Sequence, residues 1–328
     1  MSNPVRYTII EDDSDPTPDI KLTQTPVPEN LGPQGPSPQG PSQSLEPQMP
    51  TPPDSIETTF RKYVAEKKPN LIIMTPCYNS TVFVSYMQSL ISTLFMCKDF
   101  GVQANVIFCR NDSLVSRARN NLVAKAMHNK DATHFLFIDA DITWNPVDVI
   151  KLLIADKPLV GGIYPIKNYK WDTLTSQHPH TGLEAIKARH KKNMFKDSMS
   201  ETDFIKTNLL RYNINYESAV LSVEKNLTKV KHLATGFMMI QRPVFDMMFK
   251  AFSYTKYTDD VSFLAGDENK HAYALFDCGV ENDHYYSEDW MFCHRWQKMG
   301  GEIFVDVTIS LDHTGIETFN GCYLASVL

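Results

Sequence analysis

"THFLFIDADITWNP", residues 133–146, is the stretch on which the fold turns. Phe135, Leu136, Phe137 and Ile138 form a short continuous apolar run, which is what a strand buried on both faces requires. The run ends in two carboxylates one residue apart, Asp139 and Asp141, and Asn145–Pro146 then opens a helix over 145–157. Upstream, "SLVSRARNNLVAKAMHN" (113–129) puts Val115, Ala118, Leu122 and Ala126 on one helical face. Before it come a strand, "VQANVIFCRND" (102–112), a helix over 82–101 closing on Gly101, and a first strand, "NLIIMTPCYN" (70–79). Downstream, "PLVGGIYP" (158–165) reads as a further strand. Strand and helix alternating with short links predict an α/β fold with a mostly parallel central sheet and helices on both faces. Ligands in such sheets sit at the carboxyl ends of the strands, where Asp139 and Asp141 are placed.

The remaining chain divides by composition. Residues 1–55 hold 13 of the 20 prolines and eight acids against Arg6 and Lys21, and are read as a disordered, acidic, Pro-rich tail. The net charge of -6 therefore resides in the tail, and a near-neutral body gives no electrostatic case for nucleic acid. Residues 56–328 are read as one catalytic-sized domain, with 167–230, richer in Lys and His, as an elaborated or inserted segment. The core resumes as strand then helix over 230–252, a helix over 284–301 and a strand over 302–313. Six scattered cysteines without CxxC spacing are read as reduced. No signal peptide or membrane anchor is expected, which points to the cytoplasm.

Four constellations carry chemistry. Asp139 and Asp141 are i and i+2, so at a strand end both can face one side and grip Mg²⁺ or Mn²⁺, which favour oxygen ligands and share their shell with substrate phosphates. An alternative is a pair of turn acids ahead of a helix. Glu288 and Asp289 open an amphipathic helix; a carboxylate there can serve as general base, or complement the helix dipole behind Ser287 as N-cap. His313, just past a strand, can complete a Mn²⁺ shell or be a hydrogen-bonded structural residue. Asp112 ends a strand, and Arg117 and Arg119 follow early in the next helix, where they can supply charge to a diphosphate or form structural ion pairs.

The order "TPCYN", "SRARN", "DAD", "ATGFMMIQRPVF", "SEDWMFCHRW" and "DHTG" over residues 68–315 resembles GT-A-fold glycosyltransferases, most of all the family-2-like and Anp1-like enzymes of bacteria and large DNA viruses. If the source is viral, the location becomes host cytoplasm or virion. The resemblance implies transfer of a sugar from a nucleotide-diphosphate donor, a UDP- or GDP-sugar, to a hydroxyl of a glycan, protein or lipid. It implies that Asp141 contacts the metal, Asp139 and Ala140 the donor sugar or ribose, and that His313 completes the metal shell with the DxD acids. Asp289, with Glu288 as second choice, becomes the base of an inverting reaction. Thr75, Pro76 and Tyr78 are expected at the nucleotide, Asp112 and Arg117 as further donor contacts, and Thr235 and Gly236 on the acceptor side. Two rival readings stand beside this one. "DADIT" also fits the D-x-D-x-T of haloacid-dehalogenase-like phosphatases, with Asp139 as nucleophile, and the domain could be a non-catalytic sugar-nucleotide or glycan-binding scaffold.

Overall fold

The expected strand at 133–141 is five residues long, His134–Ile138, and lies inside an eight-stranded sheet. The computed structural model describes residues 5–12, 15–21, 55–176, 182–217 and 220–317. In chain order its elements are β1 (Val5–Asp12), β2 (Asp15–Lys21), α1 (Ile56–Lys67), β3 (Asn70–Cys77), α2 (Val84–Asp99), β4 (Gln103–Arg110), α3 (Val115–His128), β5 (His134–Ile138), β6 (Ile142–Thr143), α4 (Pro146–Ala155) and β7 (Leu159–Gly161). The elaborated region supplies β8 (Pro165–Tyr169), α5 (Asp172–Thr175), α6 (Leu183–Lys192), α7 (Glu201–Leu209), β9 (Leu210–Tyr212), β10 (Asn215–Tyr216) and β11 (Val220–Val223). There follow β12 (Leu227–His232), β13 (Phe237–Gln241), α8 (Arg242–Ala251), β14 (Gly279–Glu281), β15 (His284–Tyr286), α9 (Glu288–Lys298), β16 (Phe304–Asp306) and β17 (Asp312–His313).

The central sheet has the order β10-β12-β16-β7-β13-β5-β3-β4. β3 is parallel to both β4 and β5, and β16 to β7, whereas β13 is antiparallel to both of its neighbours and β12 to both of its own. The sheet is thus mixed, with β12 and β13 running against the other six strands. Period-two alternation sends Ile72, Met74, Phe135, Phe137, Met238 and Ile240 to one face, where α3, α8 and α9 pack. Leu71, Ile73, Leu136, Ile138, Phe237 and Met239 go to the other, against α1, α2 and α4. Both faces are covered, so the strands are apolar on both sides, as the run at 135–138 requires.

Local chemistry fixes the helix ends. Asn145 and Asp148 form a reciprocal capping box around Pro146, and Asp156 closes α4 in the left-handed region at φ 46°. Ser55 caps α1 by accepting from Thr58 N–H. The expected helix at 284–301 begins only at Glu288, because His284–Tyr286 pair with Gly279–Glu281 as a hairpin around Asn282 and Asp283, both at positive φ. The expected strand at 302–313 is broken: Asp306 bonds Thr308 N–H and Oγ, the chain turns, and β17 leaves the main sheet to pair with β6. Of the segment 1–55, β1 and β2 form a hairpin whose outer partner is β11; residues 22–54 lie outside the described residues. Cys77, Cys97, Cys109 and Cys293 are free thiols in the core, and Cys278 is free and exposed.

Candidate functional site

The acids gather at the carboxyl end of β5, beside the amino end of its antiparallel neighbour β13. Asp139 N–H donates to Gly236 O at 3.1 Å, and Ile142 N–H to Asp139 O at 3.1 Å. The chain therefore turns at 139–142, which corrects the expectation that both carboxylates share one face of a strand end. Asp139 is directed to the buried Arg119, whose Nη2 donates to its Oδ1 at 3.1 Å. Asp141 lies on the other branch of the turn, where Lys167 Nζ donates to its Oδ2 at 2.5 Å and His313 Nε2 stands 3.5 Å from the same oxygen.

His313 arrives there through the pairing of β17 with β6, which sets it opposite Ile142. Its Nδ1 is 2.8 Å from Pro165 O, and since a carbonyl only accepts, Nδ1 carries the proton and Nε2 is left facing Asp141. Burial pushes the Asp141 carboxyl up, but the contacts with His313 and Lys167 outweigh it and hold the group below its ordinary value. Among the described residues no group of three or more His, Cys, Asp or Glu side chains is gathered as a metal shell. Asp141 and His313 face each other, and Asp139, expected with them, is engaged by Arg119.

Glu288 and Asp289 come from the first turn of α9. Arg119 Nε donates to Glu288 Oε1 at 3.1 Å, so one guanidinium bridges the strand end and the helix start. Asp289 Oδ1 accepts from Ser287 Oγ at 2.5 Å and from Trp290 N–H at 2.8 Å. Ser287 stands at the N-cap position as expected, but its hydroxyl serves Asp289 and makes no capping bond. Burial and the neighbouring Glu288 push the Asp289 pKa up, against the pull of Ser287, Arg119 and Trp290 N–H. Arg119 is 4% exposed, and its Nη1 is buried without a partner.

The other expected positions divide. Thr75 is fully buried with its hydroxyl 2.5 Å from Tyr86 OH, which points it into the core rather than toward a ligand. Pro76 is at the end of β3, Tyr78 just past it is 72% exposed, and Ala140 O accepts from Phe83 N–H. Asp112 and Arg117 close on each other at 2.8 Å, so the arginine that reaches the acids is Arg119, two residues on. Thr235 is buried, and Gly236 lies against Tyr164, whose ring a Cβ at 236 would meet at 2.6 Å.

Tyr164, Lys167 and Asn213 belong to the site without having been expected there. Tyr164 is buried, stands edge-on to His313 at 5.2 Å and accepts from Asn213 Nδ2; burial first, then Asp139, raises its pKa. Nothing in composition or periodicity marks them, although an arginine inside the apolar face of 115–126 was a signal for Arg119. A cleft of about 850 Å³ lies elsewhere, lined by Ile56, Lys157, Tyr216, Leu227 and Phe304, and contains none of these acids.

No family model matches this chain, and no curated protein matches it. Among solved structures the chain is similar to the crystal structure of A197 from STIV, at 13% identity over 75% of this chain and 86% of that one, with a TM-score of 0.38. No helix among the described residues is long and apolar enough to cross a membrane.

Proposed function

We propose that the chain is a metal-dependent glycosyltransferase of the GT-A type, with its catalytic domain over 56–328 and a Pro-rich tail before it. It moves a sugar from a nucleotide-diphosphate donor to a hydroxyl acceptor with inversion. The observation that carries this reading is Arg119: one buried guanidinium ties the first acid of the DxD to the first acid of the ED pair. Two acid motifs 147 or more residues apart in sequence are thereby held in one site at the carboxyl ends of parallel strands.

Each residue then has a task. Asp139, held by Arg119, contacts the donor's sugar or ribose. Glu288 is neutralised by the same arginine, which leaves Asp289 as the acid without a charged hydrogen-bond partner. With its pKa raised, Asp289 takes the proton of the attacking hydroxyl while the oxygen–carbon bond to the sugar forms and the bond to the diphosphate breaks. Asp141 and His313 are the residues that would hold Mn²⁺ or Mg²⁺. An imidazole nitrogen and a carboxylate oxygen set against each other fit a shared cation, and such ions commonly take only one or two protein carboxylates beside phosphate oxygens. Four carboxylates outnumber the cations Arg119 and Lys167 that contact them, and this excess of negative charge when all are ionised favours a divalent ion. When bound, such an ion neutralises charge on the departing diphosphate.

The test is calorimetric binding of UDP-glucose, UDP-galactose, UDP-GlcNAc and GDP-mannose, each with Mn²⁺ and with chelator, to wild type and Asp141→Asn. Metal-dependent binding of one donor, lost in the variant, is expected. Binding of none of the four would overturn the reading and favour a phosphatase or scaffold, which a phosphate-release assay would separate.

A further inference from the structure

We propose that Lys167 is a resident competitor for the cation site: in the cation-free protein its ammonium holds the Asp141 carboxylate, and a divalent ion binding at Asp141 and His313 must displace it. The inference rests on the reading of Asp141 and His313 as cation ligands. Lys167 Nζ donates to Asp141 Oδ2 at 2.5 Å, and His313 Nε2 is 3.5 Å from that same oxygen. The ammonium therefore takes up the oxygen that the imidazole also addresses, and a carboxylate oxygen shared between a protein cation and a metal binds each more weakly.

The lysine is seated rather than merely near. A Cβ at Gly315 would lie 2.6 Å from Lys167 Cδ and 3.4 Å from Cε, and Gly315 does not have the positive φ that would by itself call for glycine. Space for the lysine stem is what the absence of a side chain at 315 provides. Thr314 N–H donates to Asp141 O at 2.9 Å, which fixes the 314–315 backbone beside the acid whose partner it accommodates. The Lys167 side chain is also 38% exposed, so a flexible four-carbon stem can withdraw its charge into water.

A consequence for binding order follows. An ion arriving alone must break the Lys167–Asp141 pair with no replacement partner for the ammonium. An ion arriving with a diphosphate brings anionic oxygens to which the released ammonium can turn. Lys167 thus makes the site discriminate against free metal and couples metal binding to donor binding, and the coupling is reciprocal.

The experiment is titration of Mn²⁺, alone and with UDP, into wild type, Lys167→Met, Gly315→Ala and Asp141→Asn, followed by calorimetry. Lys167→Met is expected to bind Mn²⁺ alone about tenfold more tightly than wild type, because an ion pair with a partly buried carboxylate is removed. Gly315→Ala, which expels the stem without deleting the charge, should shift affinity in the same direction, and Asp141→Asn should lose binding. UDP should raise Mn²⁺ affinity more in wild type than in Lys167→Met. Equal or weaker Mn²⁺ binding by Lys167→Met, with wild type binding measurably, would overturn the inference and leave the cation reading standing. Absence of Mn²⁺ binding in both proteins, with and without UDP, would overturn the cation reading and this inference together.

Discussion

Arg119 brings a full positive charge to a place 4% exposed, and its partners Asp139 and Glu288 come from distant parts of the chain. Breaking a buried pair by removing one partner typically costs about 3–5 kcal/mol, because the other charge is left uncompensated. Arg119→Met should accordingly lower the urea unfolding free energy by several kcal/mol, and a loss under about 1 kcal/mol would mean that water reaches the acids. Asp289 gives the complementary case. Its folded pKa is raised, so folding favours its protonated form, and its contribution to stability is present at low pH and is lost as pH rises through the folded value. Asp289→Asn escapes that loss. It should melt above wild type near neutrality, with the gap closing as pH falls toward about 4, the ordinary range of an aspartate. The same variant should lose transfer by about 10²–10⁴-fold, the usual share of a general base, while retaining donor binding. A variant that keeps transfer, or a melting gap that widens in acid, would remove Asp289 from the role.

At the scale of elements, the antiparallel β13 wedged between β7 and β5 shapes the site, since it carries Gly236 to Asp139 and closes over β7. A Cβ at Gly161 would lie 2.2 Å from Phe237 O, so that strand approach depends on a missing side chain. Gly161→Ala should cost about 1–3 kcal/mol, as overpacked cores do, and the thermal midpoint should fall with activity; an unchanged midpoint would show that the strands can part freely. None of this was legible from "PLVGGIYP", which announces a strand but not its neighbour, because periodicity reports burial and not strand direction. The strands and helices from β3 to β5, and α4, were legible for the converse reason: their links are short and their apolar faces regular, whereas the turn at 139–142 was not. The two-residue pairing of β6 with β17 is too short to show any period, and yet it sets His313 beside Asp141. Acids and the histidine could be named from residue type and spacing. Lys167, Tyr164 and Asn213 could not, since only tertiary pairing brings them in, and Arg117 was preferred to Arg119 because spacing along a helix does not show which arginine turns inward.

For the whole molecule, the question is what the acidic N-terminal segment does for a body whose acid cluster lies at the carboxyl end of an interior strand. Residues 1–54 contain eight acids and two basic residues, so the remaining 274 residues have as many acids as Lys and Arg, and the entire net charge of -6 belongs to the segment. Among its described residues, β1 and β2 pair only with each other and with β11, and none of the three strands holds a residue of the acid cluster. The body is also capped without it, since Ser55 closes α1 and Phe60 is fully buried, edge-on to Phe100 at 4.9 Å. A variant beginning at Ser55 should therefore bind donor with an affinity within about twofold of the full chain, as expected for parts that share no contacts. It should differ in solution behaviour, because a chain near zero net charge has lost the self-repulsion that keeps proteins apart. Light scattering at low salt should detect association of the shortened chain at concentrations where the full chain stays dispersed. Tenfold weaker donor binding would instead make the segment part of the site, and the charge it carries would then have to be counted with that of the four acids.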